Sequence, residues 1–299
     1  LGAQSRYGAG PLTIEQALQM KVAIFSDVQA NLPAMEVAVE LILDWGPDLV
    51  VMAGDLVNRG PDSLACLRLF DRLRRERGWL PVQGNHETWI QRCGQVPPKD
   101  PLEEETRRFA DWTYRQVRPS IELMTGWPDH LCFPGGDGES WVHVTHGTMA
   151  SNREGITHSV PDEALRGKLP PDVALFVTAH THRPLERVVD GTQILNVGSV
   201  GSPFDGDPRG SLALLEWRQG TWHREIRRFE YDRDRTDRDF RQSGFIDEGG
   251  PLARILYEEW RLARLLMPKW RADYEPAVVA GERPLGPAVG DFLKEIGVS

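Results

Sequence analysis

Five short apolar runs in this chain each stop on a polar side chain able to bind a cation. KVAIFS runs into Asp27, DLVVMAG into Asp55, and WLPVQG into Asn85 and His86. WVHVT runs into His146, and VALFVTA into His180 and His182. Short apolar runs alternating with helical patterns describe an α/β protein. Ligands of open α/β sheets gather at the carboxyl ends of the strands. These donors are therefore expected to converge on one edge, although the sequence separates them widely. Carboxylate, amide and imidazole donors suit divalent metals such as manganese, iron or zinc. A nucleotide fingerprint is missing: the glycines lack the G-x-G-x-x-G order, and no G-x-x-x-x-G-K-[ST] occurs.

The spacing predicts strands over 21–26, 48–54 and WLPVQG, then over 141–145, 173–179, ERVVD, TQILNV and 211–217. TWHREIRRFEY (221–231) reads as a last strand with one wet face. A helix is predicted from Leu32 to Trp45, with Asn31 as its cap and Pro33 in its first turn. A second opens at Pro61, carries Leu64, Leu67, Phe70 and Leu73 on its apolar face, and stops before Gly78. Residues 87–127 are polar and helical in pattern, interrupted at Pro97-Pro98. From Asp232 the run DRDRTDRDFRQ reads as a solvated helix. PLARILYEEWRLARLLM reads as one amphipathic helix through Leu252, Ile255, Leu256, Ala263, Leu266 and Met267, and GDFLKEI as a short closing one. The expected organisation is an extension over 1–19 (or a surface helix at TIEQALQ), a main domain over 20–231, and a helical C-terminal extension over 232–299. Within the main domain, 87–127 is expected to be a helical insertion near the site, overhanging it together with the C-terminal helices.

Charge narrows the partners. A formal net charge of −9 argues against general nucleic-acid binding, since phosphate backbones attract surplus Lys and Arg. Cys66, Cys93 and Cys132 have no C-x-x-C spacing, so neither a disulfide framework nor a zinc knuckle is indicated, and a reducing cytoplasm is the expected home. No apolar run approaches the roughly 20 residues of a membrane span, and the first residues lack the pattern of a secretory signal.

Taken in order, D-x-[H], GD-x-x-x-RG, GNHE, HG and HTH resemble the calcineurin-like metallophosphoesterases over about residues 20 to 217. The segment NVGSVGSPFDGDPRGSLALLEW (196–217) is similar to the closing segment of a bacterial branch grouped with diadenosine polyphosphatases and protein phosphatases of the 2A type. GDLVNRGPDS resembles the phosphatase version of the second motif. The resemblance implies a sandwich of two mixed sheets flanked by helices (α/β/β/α), and two divalent ions (manganese, iron or zinc). It also implies hydrolysis of phosphomonoesters or phosphodiesters by attack of a metal-bound hydroxide. Asp55 then corresponds to the carboxylate bridging both ions, with Asp27 and His182 on the first and Gln29 in the place of the family's histidine. Asn85, His146 and His180 correspond to the ligands of the second ion. His86 matches the group beside the scissile phosphate, as general acid or stabiliser of developing charge, and Arg59 matches an arginine that grips phosphate oxygens. Two ions, two carboxylates and a hydroxide leave about one positive charge, and Arg59 adds another. The implied substrates are a phosphate-ester small molecule, a nucleotide or a phosphoprotein, with no membrane partner.

Several residues carry a plainer reading. A histidine after a strand is more often structural than a ligand, and only the company of the other motifs makes His146 a ligand. Arg59 has a surface salt bridge as its alternative. His130, His143, His158 and His223 match no motif position, and alternation along its strand turns His143 away from the site. Gly198, Ser199 and Gly201 suit a tight turn beside it. Gln29 is a neutral oxygen donor, poorer for these metals than imidazole. Its site is expected to bind with altered preference, weakly, or not at all. A weakly active or inactive relative that senses metal or a phosphorylated ligand is therefore the rival function, and a nuclease a more distant one.

Overall fold

The computed structural model describes residues 19–298. The expectations for the N-terminal extension lie outside the described residues. Strands β1 (Met20–Phe25), β2 (Leu49–Met52) and β3 (Leu80–Pro81) run parallel. With the antiparallel β9 (Gly210–Arg218) and β10 (Thr221–Phe229) they form a sheet in the order β10-β9-β1-β2-β3. The second sheet contains β4 (His130–Phe133), β5 (Val142–Thr145), β6 (Leu175–Thr178), β7 (Leu185–Val189) and β8 (Thr192–Asn196), in the order β4-β5-β6-β8-β7. Of these, β5, β6 and β8 are parallel. The architecture is the two-sheet α/β sandwich the motifs imply.

Alternation along β1 explains its unbroken apolar run. Val22 and Ile24 face the other sheet, in a core with Val51, Val144, Val177, Leu195 and Leu215. Ala23 and Phe25 face the helices instead. From Val22 to Phe25 both faces are buried, and no polar residue occurs there. The outer face of the second sheet carries a smaller cluster around Phe176, Leu185 and Ile194, joined by Leu165 of the short helix Asp162–Leu165.

Helix α1 (Leu32–Trp45) starts where Asn31 accepts a hydrogen bond from the Ala34 amide at 3.2 Å and stops at Gly46. Helix α2 (Ser63–Arg77) begins just beyond Pro61, with Asp62 in the capping position. The segment after β3 folds as α3 (Asn85–Cys93), α4 (Pro101–Thr106), α5 (Arg108–Val117) and a 3-10 turn over Arg118–Met124. The third strand is shorter than WLPVQG suggested: pairing stops at Pro81, after which the Val82 amide bonds to the Met52 carbonyl and the chain turns into α3. The edge strand β4, with alternating exposure at His130 and Cys132, was not anticipated.

The C-terminal helices are α7 (Arg233–Gln242), α8 (Phe245–Glu248), α9 (Pro251–Leu262), α10 (Met267–Asp273), α11 (Glu275–Val279) and α12 (Leu285–Glu295), with α6 the short helix Asp162–Leu165. The single amphipathic helix expected over 251–267 is corrected. It breaks at Ala263, which takes φ 50°, because the buried Glu259 carboxylate accepts the Leu266 and Met267 amides, each at 2.7 Å. Trp260, Trp270 and Phe292 join the same core as Phe25, Met52 and Phe70. These helices thus pack on the helical layer over the first sheet, the helix Arg233–Gln242 on α1 and the helix Phe245–Glu248 on α5. Among the described residues no helix is long and apolar enough to cross a membrane.

Candidate metal centre

Every motif residue sits just beyond a strand end. Asp27 follows β1, Asp55 follows β2, Asn85 and His86 open α3 beyond β3, His146 follows β5, and His180 and His182 follow β6. The two sheets present these ends to one another. Asp55, His146 and His180 bring ligand atoms within 4.8 Å of each other, as do Asp27, Asp55 and His182. Asp55 belongs to both groups.

The loops achieve this by leaving ordinary backbone space. Asp27, Gln29, Asp55, Arg59, His180 and His182 have φ between 50° and 65°. Left-handed conformations cost a non-glycine residue of order 1–3 kcal/mol each, and the surrounding hydrogen bonds hold them. Ser199 Oγ and the Gly201 amide both donate to the Asp27 carbonyl, at 2.8 and 3.1 Å. Glu87 accepts the amides of Gly84, Asp55, Leu56 and Val57 at 2.7–3.3 Å, tying the loop after β2 to the start of α3. Two glycines are required by close approach. A Cβ at Gly84 would lie 2.2 Å from Asp55 Oδ1, and one at Gly54 would lie 2.6 Å from His146 Nδ1.

Hydrogen bonds outside the centre fix where the imidazole protons are. A carbonyl oxygen only accepts, so His146 Nδ1 donates to the Ala53 carbonyl (2.9 Å) and His182 Nδ1 to that of Ser202. Both Nε2 atoms then turn inward. His182 Nε2 lies 3.1 Å from Asp27 Oδ1, a buried oxygen that accepts no hydrogen bond. His146 Nε2 has Asp55 Oδ2 at 3.3 Å, Asn85 Oδ1 at 3.1 Å and His180 Nδ1 at 3.3 Å around it. Lone pairs aimed at one another in a buried place call for a cation. The donor atoms form two groups that could hold a divalent cation, Asp27, Asp55 and His182 in one and Asp55, His146 and His180 in the other, with Asn85 Oδ1 beside His146.

The titration behaviour has the same origin. Burial opposes the Asp55 charge, but the rings of His146 and then His86 outweigh it and hold the carboxyl far below the usual carboxylate range. Burial also opposes a charged His146, and the Asp55 carboxylate overcomes it, raising the imidazole to about 10. Without a cation, a proton thus neutralises this carboxylate. Burial lowers His180 to about 4, assisted by His146. Burial lowers His86 to about 3, although Asp55 pulls the other way. His86 is therefore neutral, and its 3.7 Å approach to Asp55 is not an ion pair.

Gln29 occupies the place matched to a histidine. Its Nε2 donates to Asp55 Oδ2 at 3.2 Å, while its buried Oε1 has no partner among the described residues. The amide thus contacts the Asp55 carboxylate directly, and its own oxygen is left without a donor. Arg59 pairs with Glu259 on α9, which is fully buried. The salt bridge raised for Arg59 is therefore present, but not at the surface: the partner lies in the interior, on a helix remote in sequence.

Sequence reasoning missed Glu87, Asn58, Thr113 and Glu259. Glu87 stood in the quoted GNHE motif, and its signal was there to be read. Asn58 donates to His86 Nδ1 at 2.8 Å and accepts from Thr113 Oγ1 at 3.1 Å, a contact no local pattern announces. His143 lies away from the centre, 3.1 Å from Cys132 Sγ, as alternation required. Beside His146 a polar cleft of about 320 Å³ is lined by Asp129, Thr148, Ser151 and Asn152 among others.

Comparison with known proteins agrees with this geometry. The chain has 25% sequence identity to the crystal structure of a metallophosphoesterase from Sphaerobacter thermophilus, with a TM-score of 0.64 over 82% of this chain and 99% of that one. A hypothetical protein from Pyrococcus horikoshii OT3 shares the fold, at 16% identity and a TM-score of 0.64 over 79% of this chain and 97% of that one. Over 48 residues the chain is 55% identical to serine/threonine-protein phosphatase 1 of Salmonella typhimurium, a stretch covering 16% of this chain and 20% of that relative's length. The calcineurin-like phosphoesterase family model matches residues 20–186, the span that supplies Asp27, Asp55, Asn85, His146, His180 and His182. The chain belongs to the calcineurin-like phosphoesterase family.

Proposed function

We propose that this chain hydrolyses phosphomonoesters or phosphodiesters at a centre holding two divalent cations. The observation that carries the reading is the 3.1 Å approach of His182 Nε2 to the otherwise unpartnered Asp27 Oδ1, next to the cluster of Asp55 and Asn85 oxygens around His146 Nε2. When bound, the ions supply Lewis acidity, lowering the pKa of a water and neutralising phosphate oxygens. The chain's own part is to place charge and protons. Asn58 donates to His86 Nδ1, so the His86 proton resides on Nε2, the nitrogen turned toward Asp55. A neutral His86 can thus give a hydrogen bond or a proton to a phosphate or leaving-group oxygen without repelling the cations. Arg59 provides directed donors for phosphate oxygens. The short match to a protein phosphatase supports phosphomonoesters among the substrates. The polar cleft beside His146 offers room for a polar leaving group.

The test is hydrolysis of p-nitrophenyl phosphate and of bis(p-nitrophenyl) phosphate with manganese, then with chelator. Activity that appears with metal and vanishes with chelator supports the reading. No hydrolysis of either ester at saturating metal rejects it in favour of the sensor.

Gln29 is the observation that favours the sensor. Its amide competes for Asp55 Oδ2, so the first ion is expected to bind more weakly than the second. Gln29→His should tighten the first site, leave the second nearly unchanged, and raise activity most when metal is scarce. Calorimetric metal titration of parent and variant reads this apart from turnover. Two equally tight ions in the parent, unchanged on substitution, would show that Gln29 is a competent ligand.

A further inference from the structure

We propose that Glu259, carried by helix α9 of the C-terminal segment, is a positioning residue that holds Arg59 for phosphate binding. The proposal rests on the phosphate-gripping role of Arg59 given above. The Glu259 side chain is fully buried, and both of its oxygens are committed. Oε1 accepts the Leu266 and Met267 amides where the chain breaks out of α9 and begins α10. Oε2 pairs with Arg59 Nη2. The two amide donors anchor the carboxylate to the backbone, so the guanidinium is tied to a rigid point.

The other contacts of Arg59 lead to the centre. Its guanidinium carbon lies 5.5 Å from the Phe204 ring centre. Phe204 in turn stacks on His182, with ring centres 4.2 Å apart and planes 2° from parallel. Arg59 is therefore linked through the Phe204 ring to His182, a candidate ligand of the first ion. Its Nε is buried and has no partner among the described residues.

An unheld arginine samples many rotamers, and ordering it on binding weakens affinity. Glu259 performs that ordering in advance. It also cancels the Arg59 charge, so Arg59 acts as a directed donor and does not add the surplus positive charge expected from sequence. The effect of losing Glu259 should thus fall on phosphate affinity and KM, with kcat at saturation little changed.

The experiment measures inorganic phosphate binding by calorimetry with manganese present, alongside KM and kcat for p-nitrophenyl phosphate. The full-length proteins compared are the parent, Glu259→Gln, Arg59→Ala and the double variant. Glutamine keeps an oxygen for the two backbone amides but turns an NH2 toward Arg59. Glu259→Gln is expected to weaken phosphate binding about 10-fold with metal content unchanged, and to cause no further loss once Arg59 is alanine. Unchanged affinity in Glu259→Gln overturns the proposal while leaving Arg59 as a phosphate ligand. An equal loss with and without Arg59 also overturns it, because Glu259 would then act on the fold alone. Unchanged affinity in Arg59→Ala removes both roles, yet metal-dependent hydrolysis in the parent would keep the phosphoesterase reading standing. Should Glu259→Gln fail to fold, Glu259→Asp keeps the charge and draws the anchor back by one methylene. It is then expected to raise KM several-fold only while Arg59 is present, and an unchanged KM counts against the proposal.

Discussion

His86→Ala is expected to lower kcat by about 10²–10⁴-fold, the usual worth of general acid–base assistance, while the metal content stays that of the parent. His86 is placed for a reacting group and is not among the residues whose donor atoms cluster for the cations. Its Nδ1 is held by Asn58, and Asn58 by Thr113 on α5, so the protonated Nε2 is fixed in direction. Burial keeps the ring neutral far below pH 7. Loss of activity on going to neutral pH is thus not expected to come from His86. Because the His86 amide donates to Asp55 Oδ1 at 2.9 Å, alanine preserves that backbone contact and the Asp55 carboxylate stays in place. Steady-state kinetics and metal analysis on the same preparation decide the matter. A variant as fast as the parent removes His86 from the chemistry.

Asp55→Asn should be more damaging, since it strikes both ions together. Asp55 is common to both clusters of ligand atoms, and its Oδ2 faces His146 Nε2 and Gln29 Nε2. Asparagine keeps the shape but removes the only charge shared by the two sites. Metal affinity should fall at least ~100-fold, the upper end of what loss of an outer supporting hydrogen bond costs, and hydrolysis should fall with it. His146 should at the same time lose the cause of its raised pKa and return toward the ordinary imidazole range. Two ions bound at near-parent affinity in Asp55→Asn would show that Asp55 does not bridge them.

Much of this was legible in the sequence for a physical reason. A strand buried on both faces needs an unbroken apolar run, and a donor can appear only where the run stops. Asp27, Asp55, Asn85, His146, His180 and His182 announced themselves in that way. Helix α1 was equally readable, because Asn31, Pro33 and Gly46 act on their own neighbours. Pattern reading failed where the determinant was distant. The edge strand β4 exists because β5 accepts it, not because HLCF demands it. The helix expected over 251–267 breaks because Glu259 bonds to Leu266 and Met267, which its periodicity does not encode.

The sequence by itself determined the donor types, their order along the chain, and the strand ends that carry them. Local forces, burial of alternating faces and backbone capping, set those features within a few residues of each position. Only the tertiary structure decided that the inward nitrogens of His146 and His182 face carboxylates, because remote carbonyls of Ala53 and Ser202 fix their protons. It alone turned Gln29 Nε2 toward Asp55, and it alone paired Arg59 with a glutamate on a C-terminal helix. Such partners are chosen by which surfaces the packed sheets and helices bring together, and no short stretch of chain contains that information.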